Sequence, residues 1–213
     1  MQYMVSGCKV NLLDNNIKIL SKTFSNIEAL NSYPKSICYI SNIEMPLQPS
    51  VNDLISTVAF DYTFKQSKRM TAYYGSKDYA YSNTHHAKYP ISTNPFIKSC
   101  IDEINMTFPG ALVNTVLLNY YPDGDATIPF HSDNEFEICD DSFIFTYSIG
   151  HTRTLVFRDI SSKKHLCKIS LEHNSLIFFT KSSQLLYEHS IISKTMDCKT
   201  TCPRISLTFR KIN

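Results

Sequence analysis

Beyond residue 111 the chain alternates apolar and polar positions in short runs. Eight of these are Thr115–Tyr121, Ile128–His131, Phe143–Ile149, Thr154–Phe157, Leu166–Leu171, Ser175–Phe179, Tyr187–Ile192 and Ile205–Lys211. Turn-forming stretches separate them, including Pro-Asp-Gly-Asp at 122–125, Gly150 and Ser-Ser-Lys-Lys at 161–164. A period of two sends successive side chains to opposite faces of a strand, so this half predicts an antiparallel sandwich or barrel-like fold. The preceding half reads differently. Asn94-Pro95 is a capping residue followed by Pro at the first helical position, and Phe96, Ile97, Cys100, Ile101 and Ile104 form one apolar stripe. A helix to about Thr107 follows, stopped by Pro109-Gly110. Ser50 with Asp53 is a weak capping-box variant ahead of a second helix over Val51–Phe60. Residues 12–30 can carry helix on Leu13, Ile17 and Leu20, and Ser36–Ile40 reads as a short strand. The Tyr-rich segment 69–82 reads as a hairpin or exposed loop rather than core. Helices precede strands without alternating with them, which argues against a doubly wound parallel sheet.

The 213 residues suit one domain, and 43% hydrophobic content with 13 Tyr and 13 Phe excludes a disordered chain. The net charge of +2 hides a segregation. Residues 1–100 hold 10 Lys/Arg against 6 Asp/Glu, residues 101–150 hold none against 9, and residues 151–213 hold 11 against 4. An acidic block therefore lies between two basic ones, so the small total does not exclude a nucleic-acid partner. No apolar run is long enough to span a membrane, and the first residues lack a signal-peptide pattern, so an intracellular protein with no membrane partner is expected. The seven cysteines are scattered and read as reduced thiols. Cys198 and Cys202 have the spacing of a zinc half-site, but no second pair matches them.

Chemistry concentrates in the acidic block and the C-terminal strand. His131 and Asp133 are two apart near a strand end, so they project to one face and can offer a metal a nitrogen and an oxygen. With His189 they make two imidazoles and one carboxylate, the facial set that leaves open positions on non-haem Fe(II). Alone, His-x-Asp also fits a surface turn, and His189 a structural histidine. The run Arg204-Ile-Ser-Leu-Thr-Phe-Arg210 adds weight. It places Arg204, Ser206, Thr208 and Arg210 on one strand face, where two guanidinium groups ask for anions unless the strand is a solvated edge.

In order and spacing, Asn119-x-Tyr121, His131-x-Asp133, His189 and Arg204-x5-Arg210 resemble the AlkB family of Fe(II)/2-oxoglutarate-dependent dioxygenases over about residues 69–213. His-Ser-Asp-Asn-Glu at 131–135 and the C-terminal strand are similar to AlkB domains of RNA-virus replicases. Arg69–Gly75 resembles the nucleic-acid-facing segment of the animal DNA-repair branch. The resemblance implies a double-stranded β-helix (jelly roll) within a mostly β, α+β chain with N-terminal helices. It implies an N-terminal extension at 1–68, a nucleotide-recognition segment with a support helix at 69–110, and the catalytic core at 111–213. His131, Asp133 and His189 are implied to hold Fe(II), and Arg204 and Tyr121 to meet the distal carboxylate of 2-oxoglutarate. Asn119 and Arg210 fall near its other end, and Ser206 stands where many relatives carry Asn. Arg69, Tyr74, Asn134 and Glu135 are the implied substrate contacts. Asn134 replaces an acidic residue found in some relatives.

The implied reaction consumes O2 and 2-oxoglutarate and removes N-methyl groups of the 1-methyladenine or 3-methylcytosine kind from DNA or RNA, single-stranded or with the base flipped, by a monomer. A 2-oxoglutarate hydroxylase acting on protein or another substrate is the alternative. Asp133→Ala is expected to abolish turnover and leave the fold intact. Tyr73, Tyr79, Tyr81 and Lys77 are further candidates for base and phosphate contacts.

Overall fold

The computed structural model describes residues 10–12, 19–20, 37–40, 42–43, 45–64, 67–81, 84–193 and 202–213. The first strands are β1 (Val10–Leu12), β2 (Ile19–Leu20) and β3 (Ile37–Ile40), followed by helix α1 (Val51–Thr57). Next come β4 (Asp61–Phe64), β5 (Arg69–Gly75), β6 (Ala80–Tyr81), β7 (Thr84–His85), β8 (Lys88–Tyr89) and helix α2 (Pro95–Thr107). The C-terminal half holds β9 (Thr115–Tyr121), β10 (Ile128–His131), β11 (Phe143–Gly150) and β12 (Arg153–Asp159). It continues with β13 (His165–Leu171), β14 (Ser175–Thr180), β15 (Tyr187–Ile191) and β16 (Arg204–Arg210).

The last eight strands divide four and four between two antiparallel sheets. One sheet runs β14-β11-β16-β9 and the other β13-β12-β15-β10. That order is the jelly roll, in which the chain crosses from sheet to sheet at every turn but the β12–β13 hairpin, so that both sheets close over one interior. The larger sheet is extended by β5 and β4 beyond β9 and by β3 and β2 beyond β14, and the smaller by β1 beyond β13. Gly150 turns the chain from β11 into β12 at φ +97°, where a side chain would meet the Pro203 carbonyl.

Alternation along the large sheet makes two cores. Val116, Leu118, Phe145, Phe178, Ile205, Leu207 and Phe209 point outward to meet Phe96, Ile97, Cys100 and Ile104 of α2. Leu117, Tyr121, Ile144, Ile177 and Phe179 point inward to meet Leu155, Phe157, Ile169 and Ile191 of the small sheet. Helix α2 begins as its sequence predicts: the Asn94 side chain accepts from the Ile97 N–H at 3.2 Å, and Pro95 follows. Helix α1 carries the complete Ser50–Asp53 capping box and ends at Thr57, three residues short of the predicted end.

Three expectations fail. Residues 1–68 contribute four strands and one helix among the described residues, and Ile19–Leu20, inside the stretch expected to be helical, pairs in parallel with β3. The rest of 12–30 lies outside the described residues, apart from Leu12 in β1. The Tyr-rich segment is no exposed loop at its start: β5 is buried and pairs with β9 from Met70–Tyr120 to Gly75–Thr115. The Tyr73 hydroxyl donates to the Lys77 carbonyl at 3.0 Å, which lets a phenol enter the core. Cys38, Cys100, Cys139 and Cys167 are free and buried as expected. Cys202 is disulfide-bonded, so it is neither a reduced thiol nor half of a zinc site.

Candidate functional site

Register brings the candidate residues into one cavity. On β9, Asn119 and Tyr121 face inward, and across the ladder they stand opposite Ser206 and Arg204 of β16. On the facing sheet, His131 of β10 is opposite His189 of β15, which is opposite Phe157 of β12. The cavity between the sheets is lined by Asn119, Tyr121, His131, Asp133, His189, Arg204, Ser206, Thr208 and Arg210, together with Leu117, Ile128, Ile177 and Phe179.

At one end, a ligating atom from each of His131, Asp133 and His189 lies within 4.8 Å of the others. No other group of this kind occurs among the described residues. The two imidazole centroids are 4.3 Å apart, and His131 Nε2 is 3.6 Å from Asp133 Oδ1. His131 Nδ1 is 2.9 Å from the Pro129 carbonyl, a contact that needs the proton on Nδ1 and turns the bare Nε2 lone pair toward Asp133. Phe157 and Phe179 rings pack 5.5 Å from that of His189. Burial pushes both imidazoles down, His189 to about 3, so both are neutral ligands at pH 7. Burial alone would raise the Asp133 carboxyl. Arg210 beside it, with the two imidazoles, holds it instead well below the usual carboxylate range.

Arg210 donates from Nη2 to Asp133 Oδ2 at 2.8 Å, and both side chains are buried. This ion pair leaves Oδ1 as the oxygen turned toward the imidazoles. Gln184, itself buried, accepts the Asp133 backbone N–H at 3.1 Å and so fixes the same residue from the turn between β14 and β15. At the other end of β16, Arg204 is 1% exposed. Its Nη2 donates to Ser148 Oγ at 3.0 Å, and its guanidinium sits 5.2 Å from the Tyr121 ring centre. Burial lowers its pKa to about 10 while the Tyr121 phenol works the other way.

Buried polar atoms almost always have partners. Here Asn119 Oδ1, Asp133 Oδ1, His189 Nδ1, Arg204 Nε and Nη1, and Arg210 Nε have none, and all belong to residues lining this cavity. A carboxylate between Arg204 and Tyr121, and a divalent cation among the three ligands, would satisfy several of them. The donor set therefore fits both groups.

The substrate candidates divide. Glu135 is half-buried beside Arg210, and burial with the neighbouring Asp133 raises its carboxyl to about 7. Asn134 is exposed next to it. Arg69 is 2% exposed, on the inward face of β5, and its charge reaches His131, so it cannot take a surface phosphate as expected. Tyr74 is on the outward face of β5, 4% exposed against Tyr89 in the helix-side core, and so is turned away from the cavity. Tyr79, a candidate for base stacking, is 3% exposed: its ring stacks on Tyr73 at 5.4 Å and lies 5.5 Å from the Arg210 guanidinium. Lys77 is exposed. Sequence reasoning missed Ser148 and Gln184. Ser148 had a detectable signal, as an inward position on a predicted strand, whereas Gln184 sits on a short 3-10 turn with no pattern to announce it.

A jelly roll with two imidazoles and a carboxylate at one end of its interior, and a buried arginine at the other, is the layout of a metal-dependent oxygenase that takes a carboxylate cosubstrate. The model for the 2OG-Fe(II) oxygenase superfamily matches residues 51–210, and the chain belongs to that superfamily. Membership implies Fe(II), 2-oxoglutarate and O2. The chain is 31% identical over 151 residues to the Bos taurus "DNA oxidative demethylase ALKBH2", covering 68% of this chain and 53% of that protein. It is 30% identical over 151 residues to the Homo sapiens protein of the same name, covering 68% and 56%. It is 29% identical over 169 residues to the Mus musculus "Alpha-ketoglutarate-dependent dioxygenase alkB homolog 3", covering 71% and 54%. These relatives bear out the AlkB resemblance seen in the motifs. The chain spans about half the length of the relatives it matches. Among the described residues, no helix is long and apolar enough to cross a membrane.

Proposed function

We propose that the protein is an oxidative demethylase of N-methylated nucleobases, of the 1-methyladenine or 3-methylcytosine type. The observation that carries this is the set of partnerless buried donors and acceptors around one cavity, in a chain similar to proteins named as demethylases. His131, Asp133 and His189 hold Fe(II) by three positions and leave the others open. The bound metal, with O2 and 2-oxoglutarate, supplies the oxidising power that converts the N-methyl group to formaldehyde, with succinate and CO2 as coproducts.

The protein's own groups position and protect. Arg204 and the Tyr121 hydroxyl receive the distal carboxylate, and Asn119, Ser206 and Arg210 line the path toward the metal end. Arg210 also keeps Asp133 ionised and fixes which oxygen it presents. Phe157 and Phe179 keep the His189 side dry. A ring methylated at such a nitrogen is cationic, and the half-buried Glu135 carboxylate beside the cavity favours that charge. The base reaches the cavity from a single strand or flipped out of a duplex. In this reading residues 111–213 are the catalytic roll, 69–110 supply recognition and support, and 1–68 are an extension. The protein acts as an intracellular monomer on methylated DNA or RNA.

The test is incubation with Fe(II), 2-oxoglutarate and 1-methyladenine or 3-methylcytosine in single-stranded DNA, single-stranded RNA and duplex, in parallel. Succinate and formaldehyde should appear in equal amounts. Iron-loaded protein that releases neither on any of the three overturns the reading, and succinate release stimulated by a peptide instead moves the substrate to protein.

A further inference from the structure

We infer that Phe136 is a stacking platform for the nucleobase next to the reacting one on the bound strand. The inference rests on the demethylase reading and adds a contact outside the cavity.

Among the described residues Phe136 is 92% exposed, against 70% for the next most exposed large apolar side chain, Met106 at the end of α2. It lies three residues beyond Asp133, on the segment that carries one metal-ligand candidate and Glu135. Along that segment Asp133 is buried, Asn134 exposed, Glu135 half-buried, Phe136 exposed, Glu137 half-buried and Ile138 fully buried. Its backbone is tied on both sides of Phe136. The Asp133 N–H is held by Gln184, the Ile138 N–H by the Glu135 carbonyl at 3.2 Å, and the Cys139 N–H by the Lys211 carbonyl at 3.0 Å. The ring is thus presented from an anchored turn beside the cavity.

Charge selects what it can receive. Residues 132–141 carry Asp133, Glu135, Glu137, Asp140 and Asp141 and no Lys or Arg. The cations beside it are already matched, Arg210 by Asp133, Lys181 by Asp140 and Lys211 by Asp141, so the segment offers a phosphate no spare positive charge, whereas a base is neutral, or cationic when methylated. Every base has a π-face, and stacking on an exposed aromatic is the usual sequence-tolerant contact with a single strand. Asn134 beside it carries an amide with both donors and an acceptor for a base edge. Bases rather than backbone therefore face this loop, and the platform adds affinity only for substrates longer than one nucleotide.

The chain contains no Trp, so Phe136→Trp introduces a single indole, which can be excited selectively over the 13 tyrosines. Its emission should be quenched by a single-stranded pentanucleotide, methylated or not, and not by 1-methyladenosine monophosphate. Phe136→Ala should raise KM for a methylated pentanucleotide about ten-fold, a typical loss for one stacked base. It should leave kcat, and KM for the methylated mononucleotide, within two-fold, and Phe136→Trp should restore the pentanucleotide KM. No quenching together with an unchanged KM overturns the inference while demethylation stands. An equal rise in KM for mononucleotide and pentanucleotide also overturns it, because the ring then acts through the cavity. Quenching by the pentanucleotide in a protein that demethylates nothing keeps the contact and removes the demethylase.

Discussion

Arg204 and Arg210 stand six residues apart on one face of β16, both buried, with opposite electrostatic circumstances. Arg210 has its counter-ion inside the protein: Asp133 lies 2.8 Å away and holds its charge more firmly than in water. Arg204 has a serine hydroxyl and a phenol, and burial erodes its charge to a pKa of about 10. One arginine has its charge matched by a carboxylate of the fold, and the other has no carboxylate beside it and is left open for a ligand. Residue type and burial do not separate a structural cation from a binding cation; the inventory of partners does.

The sharpest way to break this contrast is at Asp133. Asp133→Ala should abolish iron binding and turnover, and it should also strand the Arg210 charge. Removing one partner of a buried pair costs about 3–5 kcal/mol. Urea denaturation of the metal-free protein should show that loss, and Arg210→Met should show one of similar size by stranding Asp133. This corrects the expectation of an intact fold, because the carboxylate serves the metal and Arg210 at once. An Asp133→Ala protein as stable as the parent would mean that the ion pair is not made in solution.

That correction marks where sequence reading ran out. The eight strands of the roll were legible because each buries alternate residues, a period visible without neighbours; β9 and β10 match their predicted limits, and the other six agree within one residue at each end except β12, which runs two residues further. The three metal-ligand candidates and Arg204 were legible because strand spacing and side-chain chemistry are local. The Asp133–Arg210 pair joins positions 77 residues apart, and no local pattern announces it. Strand β5 was misread because tyrosine hydroxyls look solvent-bound, and only the fold reveals a carbonyl waiting for Tyr73. Arg69 and Tyr74 were both assigned to substrate, although strand alternation already sends them to opposite faces of β5.

The opposite sign is expected at Arg204. Replacing a buried, weakly partnered charge with an apolar side chain of similar length is neutral or stabilising, by about 1–3 kcal/mol. Arg204→Met should therefore raise the urea midpoint while raising KM for 2-oxoglutarate about 100-fold or more. Added 2-oxoglutarate at 100 times its Kd, with iron, should stabilise the parent by about 2.7 kcal/mol and the variant by almost nothing. If Arg204→Met destabilises as strongly as Arg210→Met, the two arginines are equivalent structural cations and the contrast is lost.

The smallest effect comes from Glu135, which sits against the Arg210 end. Its folded pKa of about 7 lies above the ordinary value of 4.5, because burial and Asp133 disfavour its charge. A raised pKa contributes stability that is complete below 4.5 and lost as pH rises through 7. His189 runs the other way: its folded pKa of about 3 lies below 6.5, so its contribution is complete above 6.5 and lost as pH falls toward 3. Between pH 5 and 6.5 the two slopes oppose each other, each limited to about 1.4 kcal/mol per pH unit. Glu135→Gln removes one of them. In metal-free protein the variant should lose stability more steeply than the parent on going from pH 6.5 to pH 5, by about 1 kcal/mol over the interval, as read from urea midpoints at the two pH values. Parallel midpoints would place the Glu135 carboxyl in solvent rather than against Arg210, and the acidic rim would then offer a cationic base a screened charge instead of a buried one.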